Sequence, residues 1–230
     1  MSRCICIACL LLTMSLLARP SQIESKHSSR DIAANTDPNS AFWRAVPAIF
    51  AESDSSGNEV TGYRTEIRSR WTKRNLYFLF ICPYEQLNLR PSPKNDVETN
   101  ELWNWDVAEV FVGSDFRNIR RYKEFEISPQ GEWIDLDIDL DATHHEDGWV
   151  WNSGFRVSAR IDPVAHRWYG FMKIPYSSID SRSASVGNLL RANFFLSEGP
   201  GINYRSIAWQ STHETTFHVP QVFGTLKLIQ

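Results

Sequence analysis

Cysteine is nearly absent outside the N-terminal segment of this sequence. Three of the four cysteines (Cys4, Cys6 and Cys9) lie in the first twelve residues, which leaves Cys82 alone in the rest of the chain. Removal of that segment therefore excludes an intramolecular disulfide. Cys82 ends the apolar run 76–82, which favours a buried thiol over a nucleophile.

The sequence also lacks the common motifs of hydrolases and nucleotide-binding enzymes. It contains no G-x-S-x-G, H-E-x-x-H or glycine-rich phosphate loop, so no motif supports those activities. A net charge of -3 gives no reason to expect nucleic acid or an anionic membrane surface as a partner. The apolar run 4–12 follows Arg3 and is far shorter than the ~20 residues of a spanning helix. Residues 1–18 are therefore predicted to be a signal peptide, which implies a secreted or periplasmic protein.

What the sequence does contain is short strand-like segments and nine tryptophans. The polar stretch 19–36 predicts a flexible lead-in, and residues 37–230 predict one all-β domain with minimal helix. The expected fold is an antiparallel β-sandwich of jelly-roll type. The run 76–82 is apolar on both faces and predicts a central strand. The other predicted strands are 106–113, 122–128, 133–139, 155–161, 168–174, 191–197, 206–209 and 224–229.

Alternating acidic residues mark two of these strands. Asp135, Asp137 and Asp139 project from one side of an extended segment, where like charges repel unless a cation or basic groups neutralise them. A structural calcium ion is one interpretation, and a solvated edge strand that resists aggregation is the other.

The second acidic strand carries Glu124 and Glu126 on one face, and with Glu109 they predict an acidic cluster. A solvated strand face is one interpretation of this cluster. A glycoside hydrolase is another, since two carboxyl groups must flank a scissile glycosidic bond.

Three segments, in order along the chain, resemble the motifs of family 9 carbohydrate-binding modules. WTKRNLYFLFIC resembles the family's W-x-x-x-x-L-Y strand, and LWNWDVAEVFVG resembles its W-x-x-D-x-x-E strand. The ending IAWQSTHETTFHVPQVFGTLKLI resembles the family's closing P-x-x-F-G-x-L-x-L segment. The resemblance spans most of the chain from Arg70 to Ile229 and is closest to exported bacterial proteins of this type.

The resemblance implies a non-catalytic module that binds an oligo- or polysaccharide between two aromatic side chains. Trp103 and Phe217 correspond to the aromatic pair, and Glu109 corresponds to a ligand of the sugar hydroxyls. Glu126 occupies the place of a family arginine. The carbohydrate-binding residues implied in this way are Trp103, Asp106, Glu109, Glu126, Asn193, Phe217 and His218. No cofactor is implied beyond the structural calcium that some members carry.

The chemistry of a sugar ring explains why these residue types suit the task. A pyranose presents a patch of C–H bonds on each face and hydroxyl groups around its rim. An aromatic ring covers the C–H face with little loss of side-chain entropy, and carboxyl groups hydrogen-bond to the hydroxyls. The structural alternative for Trp103 is a core position.

A second alternative function is a haem-binding electron-transfer domain. Related sandwich folds hold haem between a methionine and a histidine, and Met172 with His218 is the one reasonable axial pair here. No local motif supports this pair.

Overall fold

β-strands make up the regular framework of the residues described by the computed structural model, which are 21–142 and 151–230. The strands are β1 (Gln22–His27), β2 (Ala48–Ala51), β3 (Thr65–Trp71), β4 (Asn75–Pro83), β5 (Val107–Gly113), β6 (Arg121–Ile127), β7 (Trp133–Asp139), β8 (Arg156–Asp162), β9 (Arg167–Pro175), β10 (Leu189–Glu198), β11 (Arg205–Ala208) and β12 (Gly224–Ile229). Single turns of 3-10 helix lie at Leu102–Asn104, Tyr176–Ser178, Gly201–Asn203 and Pro220–Val222. No α-helix occurs in the described ranges, which confirms the all-β prediction, and none of their helical turns is long and apolar enough to span a membrane. The predicted signal peptide, residues 1–18, lies outside the described residues.

The central strand β4 is buried on both faces because each face meets a different apolar cluster. Phe78 and Cys82 face the main core, while Tyr77 and Leu79 pack with Trp43 on the opposite side of the sheet. β4 pairs with β3 on one side and with β9 on the other. The prediction of a central strand and that of a buried thiol at Cys82 are both confirmed.

The strands form one continuous twelve-stranded sheet of mixed direction. Its main path runs β7-β6-β5-β10-β12-β1-β3-β4-β9-β8, with β11 paired to β10 and β2 paired to β3. β1 pairs in parallel with both β12 and β3, whereas the other pairings are antiparallel. The prediction of a purely antiparallel sheet is therefore wrong at β1.

The predicted flexible lead-in contains this parallel strand. In β1, Ile23 and Ser25 are fully buried, and Ser69 on β3 donates a hydrogen bond of 2.8 Å to Ser25. Just beyond β1, Asp31 accepts hydrogen bonds from the Thr72 hydroxyl (2.6 Å) and the Tyr77 hydroxyl (2.7 Å). The folded unit thus begins by residue 22 and not near residue 37. The strand β1 is hard to recognise in the sequence because it contains a single large apolar residue. Backbone pairing on both of its sides stabilises it.

The two halves of the sheet fold over one another around the main core. The Phe78 ring on β4 meets the Phe194 ring on β10 with centroids 5.3 Å apart. A methyl group added at Gly170 on β9 would lie 3.1 Å from Ile127 on β6. The sheet therefore closes nearly into a barrel, and β5, β6 and β10 present their other faces away from this core. That outer face carries a second apolar cluster and the candidate site.

Candidate functional site

The pairing of β5 with β6 and β10 positions the side chains that form the floor of the site, on the outer face of these three strands. Glu109 lies opposite Glu126 on β6 and opposite Phe195 on β10. Phe111 lies opposite Glu124 on β6. Residues directly opposite on antiparallel strands project from the same face, so the register brings these side chains together.

A cavity of about 460 Å³ opens above this floor. Trp103 reaches it from the turn before β5, and Phe217 and His218 reach it from the segment between β11 and β12. Glu109 and Glu124 border it from below. Cavities of this size are typical of small-ligand sites.

The two aromatic side chains at the cavity are half-buried and not part of the interior. The Trp103 indole packs at the edge of the outer cluster and leaves part of its surface to the cavity. The Phe217 ring stacks on the Phe195 ring with centroids 4.1 Å apart and planes inclined by 11°. The core alternative for Trp103 is thereby excluded, whereas Trp71, Trp168 and Trp209 are buried.

Three buried carboxyl groups form the acidic part of the floor. Glu109, Glu124 and Glu126 are at most 4% exposed, and each offers an oxygen within 4.8 Å of those of the others. Burial, and then the charge of neighbouring carboxyls, raises the pKa of Glu109 and Glu126 well above the usual range. Burial also raises the pKa of Glu124 to about 7. The interpretation of this strand face as solvated is therefore wrong.

His218 is oriented by contacts on both sides of its ring. Its Nδ1 lies 2.6 Å from the Tyr122 hydroxyl, and its ring stacks on Phe111 with centroids 5.3 Å apart. Its Nε2 lies 4.0 Å from Oε2 of Glu124. The imidazole therefore stands at the cavity with a fixed tilt beside the acidic floor.

Two predicted sugar ligands, Asp106 and Asn193, are buried and hold the backbone of loops. Asp106 accepts hydrogen bonds from the Gly199 N–H (2.7 Å) and the Asn88 N–H (2.9 Å). The Asn193 amide donates to the Gln210 carbonyl (2.9 Å), and its oxygen accepts from the Gln210 N–H (3.0 Å). Neither side chain borders the cavity. Glu126 also lies beneath the bordering residues, so a direct sugar contact by these three residues stays a prediction.

The predicted calcium ligands lie on β7, away from this cavity. Asp137 forms an ion pair with Lys123 (2.5 Å), and Asp139 forms one with Arg121 (2.7 Å). Asp135 is buried and accepts a hydrogen bond of 2.8 Å from the Ser153 N–H. β7 ends the sheet path, as the edge-strand interpretation predicted. Basic groups on β6 thus neutralise Asp137 and Asp139 but not the buried Asp135, and calcium at these three positions stays a prediction.

The residues of the haem alternative lie on opposite sides of the sheet. Met172 is fully buried in the main core, whereas His218 borders the outer cavity. Alternate residues of β5 and β6 face these two regions. The sheet itself separates Met172 from His218, so the structure does not bring the axial pair together.

Sequence reasoning missed one wall of the cavity, which is formed by Tyr204 and Ser197. The Tyr204 hydroxyl donates to the Ser197 hydroxyl (3.2 Å), which donates to Oε1 of Glu109 (3.3 Å). Tyr204 precedes β11 in an irregular segment without a motif. Glu214 also borders the cavity from such a segment. Their placement depends on how the loops fold over the sheet, which no local pattern reports.

No family model matches the sequence. Among solved structures, the chain is similar to a family 9 carbohydrate-binding module from Caldicellulosiruptor kristjanssonii in complex with cellotriose. The TM-score is 0.65 at 16% identity, over 90% of this chain and 93% of that one. A module of the same family and organism in complex with glucose gives a TM-score of 0.63 at 16% identity, over 90% and 95% of the two chains.

A curated relative from Arthroderma benhamiae is named an extracellular protein. It is 22% identical over 180 residues, which cover 72% of this chain and 79% of the relative. The structural similarity shows that the chain has the fold of family 9 carbohydrate-binding modules. The resemblance to this family in the sequence motifs is therefore confirmed at the level of the fold.

Proposed function

We propose that this chain is a non-catalytic carbohydrate-binding module that holds a saccharide in the cavity between Trp103 and Phe217. The observation that carries the proposal is the convergence of two half-buried aromatic side chains and buried carboxyl groups on one open cavity. The solved structures with this fold include complexes with cellotriose and with glucose, which supports a saccharide as the ligand.

The cavity supplies both kinds of contact that a pyranose requires. The indole of Trp103 offers a flat apolar surface to the C–H face of a sugar ring. The carboxyl of Glu109 and the hydroxyl of Tyr204 offer hydrogen bonds to the hydroxyl rim. Because Phe217 stacks on Phe195, its orientation is fixed before binding, which lowers the entropic cost of association.

We further propose that the protein acts outside the cytoplasm in the breakdown of plant or microbial polysaccharides. The name of the curated relative supports an extracellular location.

The packing of the two sheet halves around one core supports the jelly-roll-like sandwich description of the domain.

Hydrolysis receives less support than binding. A retaining glycosidase needs one ionised carboxylate as nucleophile beside a protonated one. Burial raises the pKa of both Glu109 and Glu124, which disfavours the ionised nucleophile. Release of reducing sugar by the purified protein, abolished in Glu109→Gln, would reverse this preference.

Isothermal titration with cello-, xylo- and manno-oligosaccharides tests the proposal. We expect binding in the micromolar to millimolar range for at least one series. Trp103→Ala removes the stacking surface and should weaken binding by about 1–2 kcal/mol, or about 5- to 30-fold in Kd. Trp105→Ala is the matched control, since Trp105 is also half-buried but does not border the cavity. Absence of binding to every series, or equal effects of the two substitutions, would refute the proposal.

A further inference from the structure

The acidic floor of the cavity is built from three glutamates that the strand register forces together. Glu109 and Glu126 are direct cross-strand partners on β5 and β6, and Glu124 lies two residues from Glu126 on the same face. One oxygen of each lies within 4.8 Å of those of the other two. Like charges placed directly opposite one another destabilise a sheet, so this register is costly unless something neutralises the cluster.

Protein groups provide little of that neutralisation. Glu109 accepts one hydrogen bond from the Ser197 hydroxyl. Oε2 of Glu124 and both oxygens of Glu126 are buried without a hydrogen-bond partner among the described residues. The described residues that border the cavity include no lysine or arginine, and their one basic side chain is His218, whose Nε2 lies 4.0 Å from Oε2 of Glu124, beyond hydrogen-bond distance. The acidic face of β7 differs in this respect, because Lys123 on β6 forms an ion pair with Asp137 on β7.

The distances in the cluster match the requirements of one bound metal ion. Oxygen-preferring ions such as Ca²⁺ hold carboxylates at about 2.3–2.6 Å, so oxygens on opposite sides of one ion lie at most about 5 Å apart. All three pairs in the cluster meet this limit. An organic cation in the cavity would contact Glu109 and Glu124, but Glu126 lies beneath the residues that border the cavity. A monatomic ion is small enough to reach all three.

We propose that Glu109, Glu124 and Glu126 bind one divalent cation of the oxygen-preferring class, Ca²⁺ or Mn²⁺, on the floor of the cavity. Three carboxylates do not complete the six to eight oxygen ligands of Ca²⁺. Water or ligand hydroxyl groups in the cavity fill the remaining positions. The site differs from the β7 aspartates, and it goes beyond saccharide binding by aromatic stacking.

Titration of chelator-treated, desalted protein with Ca²⁺ alone and with Mn²⁺ alone tests this site. We expect one ion per chain for the wild type by isothermal titration. Glu126→Gln and Glu124→Gln keep the side-chain shape but remove a ligand charge, and should weaken binding at least tenfold. Glu198→Gln is the matched control, because Glu198 is also buried with both oxygens unpartnered and lies outside the cluster. It should bind the ion like the wild type.

Two results would overturn the proposal. One is the absence of binding by the wild type at millimolar Ca²⁺ and Mn²⁺, which needs no variant to interpret and means that the cluster neutralises itself with protons. The other is equal binding by Glu126→Gln and the wild type, with circular dichroism confirming that the variant is folded. Saccharide titrations with and without chelator separate the two proposals. Saccharide binding without ion uptake would refute the cation site and leave the proposed saccharide site unaffected.

Discussion

Replacement of Asn193 by alanine distinguishes a residue that positions the cavity wall from one that contacts the ligand. Asn193 is fully buried and makes two hydrogen bonds to the backbone of Gln210, at 2.9 and 3.0 Å. Gln210 lies two residues beyond the end of the short strand β11 and leads into the segment that carries Phe217. Each lost hydrogen bond costs about 1 kcal/mol, and buried backbone groups left unsatisfied add about 1–3 kcal/mol.

Asn193→Ala should therefore lower the free energy of unfolding by about 2–4 kcal/mol in urea denaturation. Amide hydrogen exchange across residues 210–219 should quicken, because the anchor of that segment is lost. Saccharide affinity should fall because Phe217 is held less firmly.

Asn188→Ala is a suitable control for this experiment. The Asn188 amide also makes two hydrogen bonds, to the Tyr176 hydroxyl and the Ser183 carbonyl, but it is only half-buried and does not border the cavity. It should lose less stability and no affinity. If Asn193→Ala retained full stability and lost saccharide binding, Asn193 would be a direct ligand and the positioning role would be wrong.

Four further substitutions test the fold. Burial raises the pKa of Glu198 to about 9, so the folded state holds a proton that the unfolded state releases above about pH 4.5. The free energy of unfolding should therefore fall as pH rises towards 9. Glu198→Gln should flatten this fall in urea titrations at pH 5, 7 and 9. Gly224→Ala places a methyl group 2.5 Å from the Trp209 ring and should lower Tm through about 1–3 kcal/mol of overpacking. Gly187→Ala meets open space but has a φ of 91° and should cost about 1 kcal/mol; equal Tm values for the two glycine variants and the wild type would contradict both. Asp31→Ala removes the hydrogen bonds that Asp31 accepts from Thr72, directly after β3, and from Tyr77 on β4, and should destabilise the fold. Unchanged stability would return residues near 31 to a flexible lead-in.

The strands that sequence could predict are those with large apolar residues at alternating or continuous positions. β7 (Trp133–Asp139) and β12 (Gly224–Ile229) span the same residues as the predicted strands, and β4 and β9 extend the predicted ranges by one residue at each end. β1 (Gln22–His27) was missed, because small and polar residues occupy its buried positions. In β3 (Thr65–Trp71) the inward positions include a threonine and a serine, so its alternation is hidden in the same way.

The residues of the site also fall into two groups, those that a sequence motif locates and those that only tertiary packing brings to the cavity. The motifs located Trp103, Glu109 and Phe217, and the structure places all three at one cavity. The resemblance implied Asn193 as a sugar ligand, which stays a prediction, and its hydrogen bonds to a loop backbone depend on tertiary contacts between distant segments. Tyr204 comes from an irregular segment whose path is set by packing and not by any periodic pattern.

Indole resonances in a two-dimensional NMR titration test the central claim most directly. The Trp103 Nε1–H signal, assigned by its loss in Trp103→Phe, should shift progressively as an oligosaccharide such as cellotriose is added, while the Trp105 signal stays in place. A titration in which the Trp103 signal does not move with any of the three oligosaccharide series, or in which only indoles away from the cavity respond, would contradict the assignment of this cavity as the saccharide site.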